Sequence, residues 1–394
     1  MLKTLPRTQH KGAHLSFQPR IRKGAFFEAS WRHGCRNFSV YNRTFISSTF
    51  SDPLTEYWKV TQDVAIWPVM GERQVEITGP DALRFVQFLT PRDMSKCAVG
   101  QCKYALVTAA DGGILSDPII LRLDEDRFWL STSDCDLELW AKGLAVNAGM
   151  DVAIRDAEVS VIQVQGPKSP QLMRNLFGEA VLDLRYYRLV TASFRGHRLR
   201  ISRTGWSGEF GYEIYLENAG HGDALFDALL TAGAALNVAP GAVNQARRIE
   251  SGILSWGVDM TPEETPYEVG LGRLVELETN SDFVGREALT RLKHAAPAKK
   301  LVGLTIEGET LEPNEEPWPL MQDGQVVGKM TSLAYSPRLK RNIAIGLVRT
   351  DLASDGAAFA VRTWDGERRA TVSPLPFLPK KQQGNARALA NAAT

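Results

Sequence analysis

Apolar residues recur along the chain with two different spacings, one typical of strands and one typical of helices. Residues 74–78 (QVEIT) alternate polar and apolar side chains, as a strand with one buried face does. Asp81 is predicted to cap the helix that follows, because the apolar side chains of residues 82–89 fall on one face. The helical spacing recurs over residues 134–148 and 241–254. Strands and helices in alternation predict an α+β body for the larger part of the chain.

The C-terminal part of the chain has a different pattern, in which strands dominate. Residues 295–299 (AAPAK) are typical of a linker. Beyond it, Asp323-Gly324 and Asp365-Gly366 indicate type I′ hairpin turns between β-rich runs. Residues 300–380 are therefore predicted to form a small antiparallel β-barrel or β-sandwich. Residues 381–394, rich in Gln, Asn and Ala, are predicted to be a flexible tail.

Composition excludes several classes of function. The 394 residues carry a formal net charge of +1, whereas domains that bind nucleic acid through bulk charge usually have a clear basic excess. No apolar run approaches the ~20 residues needed to cross a bilayer, so we expect a cytoplasmic protein without membrane contact. The sequence has no HExxH pair, and its four cysteines include no CxxC motif. We therefore expect neither a metal site nor a disulfide framework.

The N-terminal segment is strongly basic. Residues 1–50 contain many lysines and arginines and a single acid, Glu28. Such a bias is typical of a transit peptide, but this segment also contains two prolines, several aromatic residues and no clear amphipathic helix. We expect it to wrap around the folded body instead.

Four short strings carry a more specific signal, because they occur in a fixed order. Their residues are 112–120 (GGILSDPII), 203–213 (RTGWSGEFGYE), 248–252 (RIESG) and 375–378 (LPFL). Each resembles a signature of the glycine-cleavage T-protein family. Further segments resemble one branch of that family, the dimethylsulfoniopropionate demethylases: residues 41–42, 66–67, 72–77, 92–95, 244–252 and 265–268.

The resemblance implies an α+β, three-domain, cloverleaf-like fold with a C-terminal antiparallel β-barrel. Two interleaved α+β domains would occupy residues 1–295 and bind tetrahydrofolate in a central cavity. The implied reaction is transfer of a methyl group from a small donor to N5 of tetrahydrofolate. The donor would be a sulfonium, a quaternary amine or a methoxy compound, with dimethylsulfoniopropionate as the lead candidate. A homodimer is compatible with this family.

Three charged residues match positions that bind folate in the family. Asp117 follows a glycine-hinged turn, and its carboxylate is the candidate catalytic group that orients the pterin. Glu213 would accept hydrogen bonds from the pterin amino group and ring N–H. Arg248 offers a planar fork to the pterin carbonyl or a carboxylate. A turn cap, a solvent-facing strand residue and an exposed helix residue are the structural alternatives; we also expect the neighbouring Arg247 at the surface.

Aromatic residues are the other cofactor-binding candidates. Tyr104, Trp206 and Trp256 fall where the family has aromatic residues lining the folate cavity, and Tyr186 is a further candidate of this kind. Their flat rings could stack on the pterin or the aminobenzoate, and they could also surround a methylated cation. Burial in an ordinary hydrophobic core is the structural alternative.

Two departures from the demethylase branch fall where we expect the substrate to bind. That branch usually continues Gly-Trp-Ser with Lys-Gln-Gly, whereas this chain has Gly208, Glu209 and Phe210. It usually follows Tyr-Asn with His-Met, whereas here Asn42 precedes Arg43 and Thr44. We therefore predict that Asn42, Arg43 and Glu209 contact the substrate, with Arg43 available for a donor carboxylate.

Two alternative functions remain open at the level of sequence. Aminomethyl transfer in glycine cleavage would require a lipoyl carrier protein. The family's usual Ala-Arg-Asp run is replaced here by residues 243–245 (VNQ), which argues against it. A non-catalytic folate-binding paralogue linked to iron–sulfur assembly would carry a cysteine-centred motif. The equivalent residues 269–272 (VGLG) contain no cysteine.

Overall fold

The computed structural model describes residues 18–279 and 281–392. The first part of the basic N-terminal segment, on which the question of a targeting role depends, lies outside these residues. Within the described part, the segment that follows supplies a helix and a two-stranded hairpin. Phe26 and Phe27 on this segment are buried in the largest hydrophobic core, so this part of the segment packs on the body.

A six-stranded sheet forms one half of the body. Its strands, in the order in which they pair, are Leu189–Phe194, His197–Ser202, Gly211–Leu216, Ser160–Gln165, Ala65–Pro68 and Ala239–Pro240. The central strand Ser160–Gln165 is buried along its whole length, because helices cover one face and the second sheet lies towards the other. Its polar residues Ser160, Gln163 and Gln165 are buried together with the apolar ones.

A five-stranded antiparallel sheet forms the other half. Its strands, in the order in which they pair, are Ala153–Asp156, Gln74–Thr78, Arg127–Ser131, Ile119–Asp124 and Gln101–Tyr104. The strand Gln74–Thr78 has the predicted bounds but is buried on both faces rather than one. Its polar Glu76 is stabilised inside by Trp129 Nε1, which donates a hydrogen bond at 2.8 Å, and by Arg127.

The five-stranded sheet is inserted within the sequence of the six-stranded sheet. The strand Ala65–Pro68 belongs to the six-stranded sheet, the chain then builds the five-stranded sheet, and it returns to the first sheet at Ser160–Gln165. Two short pairs complete the body, Asn37–Tyr41 with Thr44–Thr49 and Val107–Thr108 with Ile114–Ser116. The second pair precedes Asp117 directly.

The α-helices cover the outer faces of the sheets. In the described part of the chain they are α1 Phe27–Arg32, α2 Pro53–Gln62, α3 Ala82–Leu89, α4 Leu137–Ala145, α5 Ser169–Phe177, α6 Gly222–Ala232, α7 Gln245–Glu250, α8 Arg286–His294 and α9 Ala386–Ala392. Short 3₁₀ turns lie at Glu179–Asp183, Ala219–His221, Ala234–Leu236, Gly272–Leu274 and Thr350–Leu352. Each described helix is too short or too polar to span a bilayer.

Two helices differ from the prediction. Asp81 precedes α3 but does not cap it, because its carboxylate instead accepts a hydrogen bond from Asp151 N at 2.9 Å. Helix α7 has six residues where fourteen were predicted. Asn244 starts it by accepting a hydrogen bond from Arg247 N, and Gly252, with a φ of 61°, turns the chain away just beyond its end.

The C-terminal part is a closed barrel, as predicted. Its strands, in the order in which they pair, are Lys299–Ile306, Arg341–Arg349, Gln325–Ser336, Trp318–Gln322, Ala358–Thr363 and Gly366–Ser373. The predicted turn Asp323-Gly324 joins two neighbouring strands, and both of its residues have a positive φ. The second turn is formed by residues 364 and 365 instead of Asp365-Gly366, because Gly366 already pairs with Thr363 as the first residue of its strand. Helix α7 packs against the strand Gln325–Ser336, so the barrel is joined to the body beside the RIESG string.

The segment predicted to be a flexible tail is ordered over most of its length. Helix α9 packs on α5, where Gln171 Nε2 donates a hydrogen bond to Leu389 O at 2.6 Å, and Arg387 pairs with Asp183 at 2.7 Å. Ala390 is fully buried in the main core. The Ala-rich composition that suggested disorder instead allows a close helix–helix contact.

The docking of α9 can be tested with a matched pair of substitutions. Ala390→Glu forces a carboxylate into a core without a counter-charge, whereas Ala388→Glu places the same side chain on the exposed face of the helix. We expect Ala390→Glu to lower the free energy of unfolding by about 1–3 kcal/mol and to expose the segment to limited proteolysis. Equal proteolysis of the two variants would contradict the docking.

Candidate active site

A cavity of about 1300 Å³ lies between the two sheets and is bordered by loops before the barrel and by the C-terminal segment. Six of the residues predicted for the site line it: Tyr104, Asp117, Tyr186, Trp206, Glu213 and Trp256. Typical small-molecule sites occupy about 300–1000 Å³. The cavity is thus large enough for a ligand of folate size together with a second, small molecule.

Asp117 is held at the cavity wall by a glycine turn. An added Cβ at Gly113 would lie 2.1 Å from Pro262 O, and Gly112 has a φ of 92°, so other residues would not fit this turn. Tyr104 donates a hydrogen bond from its hydroxyl to Asp117 Oδ2 at 3.0 Å. Burial raises the pKa of Asp117 to about 7, although hydrogen bonds from Tyr104 and Ser133 act in the opposite direction. This carboxyl can therefore hold or release a proton near neutral pH.

Glu213 lies in the middle of the strand Gly211–Leu216 and is buried. Gln163 Nε2 and the Tyr215 hydroxyl donate hydrogen bonds to its carboxylate, both at 2.8 Å, and the Thr204 hydroxyl donates a third. Burial raises its pKa in spite of these donors. The side chain is thus fixed in one orientation beside the cavity, which excludes the solvent-facing alternative.

A second carboxylate, which we did not predict, faces the same region. Gln163 Nε2 also donates to Glu72 Oε1 at 3.3 Å, so one amide joins Glu72 and Glu213. Burial raises the pKa of Glu72 well above its usual range, and the neighbouring Glu213 raises it further. Glu72 belongs to the string 72–77 that carries the resemblance, but an acid ahead of a strand gives no sign of which way its side chain points.

The aromatic candidates surround the cavity from different elements. Trp256 Nε1 donates a hydrogen bond to Ile114 O at 3.0 Å, beside the Asp117 turn. The Tyr186 hydroxyl donates to Gln382 Oε1 at 2.8 Å. Gln382 in turn donates from Nε2 to Gly205 O at 2.9 Å, next to Trp206. The C-terminal segment therefore orders two of the four aromatic positions, a role that its sequence did not indicate.

Arg248 does not line the cavity. Its guanidinium pairs with Asp259 and donates to the Ser332 hydroxyl at 2.7 Å, while lying 5.4 Å from the Trp206 ring. Because its guanidinium contacts Asp259 in the loop and Ser332 in the barrel, Arg248 supports the cavity wall behind Trp206. The structure therefore corrects the prediction of a direct folate contact at this position.

The three predicted substrate contacts also lie outside the cavity. Asn42 is buried, and its amide donates hydrogen bonds to Gly71 O and Ser133 O, which fixes the turn between the first two strands. Arg43 is 70% exposed and lies 3.4 Å from Asp136. Both residues have a positive φ, as a tight hairpin turn requires, so the departure at Arg43 changes a surface turn.

Glu209 forms part of a buried ionic network. Arg247 Nε lies 2.7 Å from Glu209 Oε1, and both side chains are essentially inaccessible to solvent. Arg338 from the barrel reaches Glu250 at 2.7 Å and Glu209 at 3.6 Å. The Tyr57 hydroxyl of α2 donates to Glu250 Oε1 at 2.7 Å. We call Arg247, Glu209, Glu250, Arg338 and Tyr57 the ionic network.

The network changes the assignment of two residues. Arg247, which was expected at the surface, is fully buried, and that expectation was wrong. Glu209 neutralises Arg247 instead of contacting a substrate. The departure at residues 208–210 therefore supplies the counter-charge of a buried arginine, which the string itself could not reveal.

Four basic side chains also line the cavity: Arg92, Lys103, Arg273 and Lys380. Arg92 donates to Tyr104 O and Lys103 donates to Asp93 O at 2.7 Å, so both are held by backbone carbonyls. Burial lowers the pKa of Lys380, and the positive charges of Arg273 and Arg247 lower it further. Within residues 18–279 and 281–392, no group of three or more His, Cys, Asp or Glu side chains is arranged to hold a metal ion.

Comparison with known proteins identifies the family. Residues 8–279 match the model of the GCVT N-terminal domain, and residues 299–378 match that of the glycine cleavage T-protein C-terminal barrel domain. The chain therefore belongs to the glycine-cleavage T-protein family. Its fold is similar to that of the glycine cleavage system aminomethyltransferase T from Bartonella henselae, with a TM-score of 0.81 and 23% identity over 92% of this chain and 99% of that one.

Curated relatives include two kinds of transferase. The dimethylsulfoniopropionate demethylase DmdA of Ruegeria pomeroyi is 40% identical over 90% of this chain and 96% of its own length. An aminomethyltransferase of Streptomyces avermitilis is 32% identical over 77% of this chain and 83% of its own. These matches confirm the predicted family, its T-protein fold and an enzyme of the transferase class.

The corrected role of Glu209 leads to a prediction. Glu209→Gln removes one partner of a buried pair and leaves part of the Arg247 charge uncompensated. We expect the free energy of unfolding to fall by roughly 3 kcal/mol, with an unchanged KM for the small substrate in protein that remains folded. Thermal unfolding and initial-rate kinetics together test this. A large rise in KM without any loss of stability would restore the original assignment as a substrate contact.

Proposed function

We propose that this protein is a tetrahydrofolate-dependent demethylase that transfers a methyl group from a small methylated donor to N5 of tetrahydrofolate. The donor is a sulfonium, a quaternary amine or a methoxy compound, with dimethylsulfoniopropionate as the lead candidate. The observation that carries the proposal is the cavity that Asp117, paired with Tyr104, and Glu213 both line. The 40% identity to a dimethylsulfoniopropionate demethylase supports the choice of donor.

The residues of the cavity fit tetrahydrofolate. A pterin presents its amino group and a ring N–H as two adjacent donors, and a fixed carboxylate such as Glu213 complements that edge. Tyr104, Tyr186, Trp206 and Trp256 provide flat surfaces for the two ring systems. The volume of about 1300 Å³ leaves space beside a folate for the donor. When bound, tetrahydrofolate supplies the N5 nitrogen that accepts the methyl group and loses its proton.

The protein's own contribution is positioning, charge stabilisation and removal of that proton. Asp117 is fixed by Tyr104 and Ser133, and its ionised carboxylate stabilises positive charge that develops close to it. With a pKa of about 7, the same carboxylate can accept a proton at an oxygen atom as the charge is neutralised. Holding two reactants in line within an enclosed site removes much of the entropic barrier to their reaction.

Aminomethyl transfer is the second candidate. The family contains aminomethyltransferases that are 32% identical to this chain over most of its length. Demethylation is favoured because the identity to the demethylase is higher and extends over a larger share of the chain. A non-catalytic folate-binding protein is disfavoured by the position of Asp117, whose pKa is suited to proton transfer at neutral pH.

A donor screen tests the proposed function. The purified protein is incubated with tetrahydrofolate and, separately, with dimethylsulfoniopropionate, glycine betaine or a methoxy-substituted aromatic acid. Mass spectrometry is used to detect 5-methyltetrahydrofolate and the demethylated co-product. We expect product with at least one of these donors. A parallel reaction contains an aminomethylated lipoyl carrier protein, and methylenetetrahydrofolate formed only in that reaction would establish the aminomethyl alternative.

The role of Asp117 makes a further prediction. Asp117→Asn should reduce turnover by about 10²–10⁴-fold, the usual contribution of a positioned acid–base group, with folate binding largely retained. In the wild type, ionised Asp117 is the active form. Since its pKa is raised to about 7, we expect kcat/KM to fall as the pH drops through about 7 and to level off above it. A wild-type rate in the variant, or a flat profile across this range, would contradict the assignment.

A further inference from the structure

Most buried carboxylates of this protein are neutralised by a basic side chain. Glu76 pairs with Arg127, Asp259 with Arg248, and Glu264 with Lys299. Glu209 and Glu250 belong to the ionic network described above. Such pairing is the usual condition for burying a charge, because an isolated ion loses its hydration without compensation.

The cavity is an exception to this rule. In the described part of the chain, Glu72, Asp117 and Glu213 have no lysine, arginine or histidine nitrogen within the 4.0 Å of an ion pair. Of the four basic side chains that line the same cavity, Arg92 and Lys103 donate to backbone carbonyls, and Arg273 and Lys380 also form no ion pair with these acids. One region of the cavity therefore contains acidic groups that no basic side chain contacts directly.

Two of these acids are close to one aromatic ring. An added Cβ at Gly71 would lie 2.8 Å from Tyr41 Cβ, so Tyr41 packs directly against the residue that precedes Glu72. Burial raises the pKa of the Tyr41 hydroxyl well above its usual range, and the negative charges of Asp117 and Glu72 raise it further. Tyr41 thus lies within the electrostatic reach of both carboxylates. We call Tyr41, Glu72 and Asp117 the acid pocket.

Glu72 differs from Asp117 and Glu213 in accepting fewer hydrogen bonds from the protein. Asp117 accepts from Tyr104 and Ser133, and Glu213 accepts from three donors. Among the described residues, Glu72 accepts a hydrogen bond only from Gln163, at 3.3 Å, although its side chain lines the cavity. A side chain placed in this way has its bonding capacity free for a ligand.

We propose that the acid pocket binds the cationic group of the methyl donor and that Glu72 is the residue that selects a positively charged donor over a neutral one. This inference rests on the proposed function and narrows its substrate to onium compounds, a sulfonium or a quaternary ammonium. The face of the Tyr41 ring attracts such a cation through its quadrupole. A cation bound beside Glu72 favours the ionised form of this carboxyl, which burial disfavours in the free protein, and the onium ion, which has no N–H to donate, attracts the carboxylate through space.

The pocket also accounts for the exclusion of neutral donors. A methoxy compound gives Glu72 no positive charge to attract, so it binds more weakly than an onium ion of the same shape. Specificity of this kind comes from the cost of the wrong partner as well as from attraction to the right one.

Binding measurements with a charged ligand and its uncharged counterpart test the inference. Dimethylsulfoniopropionate and 4-methylpentanoate have the same shape, because a carbon atom replaces the sulfonium sulfur. Their dissociation constants are measured by calorimetry on the full-length protein without folate, so that no turnover occurs. We expect the wild type to prefer the sulfonium roughly 10- to 100-fold, as a charge pair in a partly enclosed site would give.

Substitution of Glu72 should remove this preference. We expect Glu72→Gln to reduce the ratio of the two dissociation constants to about one to threefold, whereas Glu72→Asp, which keeps the charge, retains most of it. Glu287→Gln removes the same charge from an exposed site and should leave the ratio unchanged. The thermal midpoint of Glu72→Gln should not fall, because an amide of the same size replaces a carboxyl whose ionised form burial disfavours. An unchanged ratio in stable Glu72→Gln protein would overturn the inference.

The results separate this inference from the proposed function. If the wild type forms 5-methyltetrahydrofolate from an onium donor while Glu72→Gln keeps the wild-type binding ratio, the function stands and the role of Glu72 fails. If no methyl donor reacts but the binding ratio depends on Glu72, the cation pocket stands and demethylation fails.

Discussion

The buried pair of Arg247 and Glu209 is the interaction on which the shape of the site depends. Arg247 belongs to α7 and Glu209 to the loop that carries Trp206, and Arg338 brings the barrel into the same network. Lys381, at 3.5 Å from Glu209, adds the C-terminal segment. Four separate parts of the chain thus meet at one set of charges, and three of them, α7, the Trp206 loop and the C-terminal segment, border the cavity. Each of these charges would be costly to bury without its partners. The network therefore stabilises the contacts between the four parts.

The ionic network and the cavity differ in how their buried charged groups are compensated. In the ionic network, positive and negative groups are matched within the protein, which gives a rigid wall. In the cavity, Glu72, Asp117 and Glu213 keep raised pKa values because burial disfavours their ionised forms. The protein can bury these acids without basic partners because a proton can neutralise them when no ligand is bound. In such a site the side chains that bind the ligand are already in position before binding.

The sequence predicted those features that depend on local backbone geometry. The glycines beside Asp117, the strand around Glu213 and the two hairpins of the barrel all follow from turn and strand preferences, and the structure has them. Side-chain direction was less predictable. Arg247 and Arg248 are neighbours on a short helix buried on several sides, and nothing in their spacing shows that one pairs with Glu209 and the other with Asp259. Glu72 and Gln382 enter the cavity through tertiary contacts alone, and α9 is ordered only because α5 provides a surface for it.

The insertion of one sheet within the sequence of the other has a consequence for how the protein folds. The strand Ala65–Pro68 pairs with Ser160–Gln165 and with Ala239–Pro240, so the six-stranded sheet closes only after distant segments have met. Pairing over such separations is slow, because loop closure costs entropy before any contact compensates for it. The six-stranded sheet is therefore not a module that could be cut out or exchanged with that of a relative. The five-stranded sheet and the barrel are each built from one continuous stretch of sequence, so recombination could transfer either of them more readily.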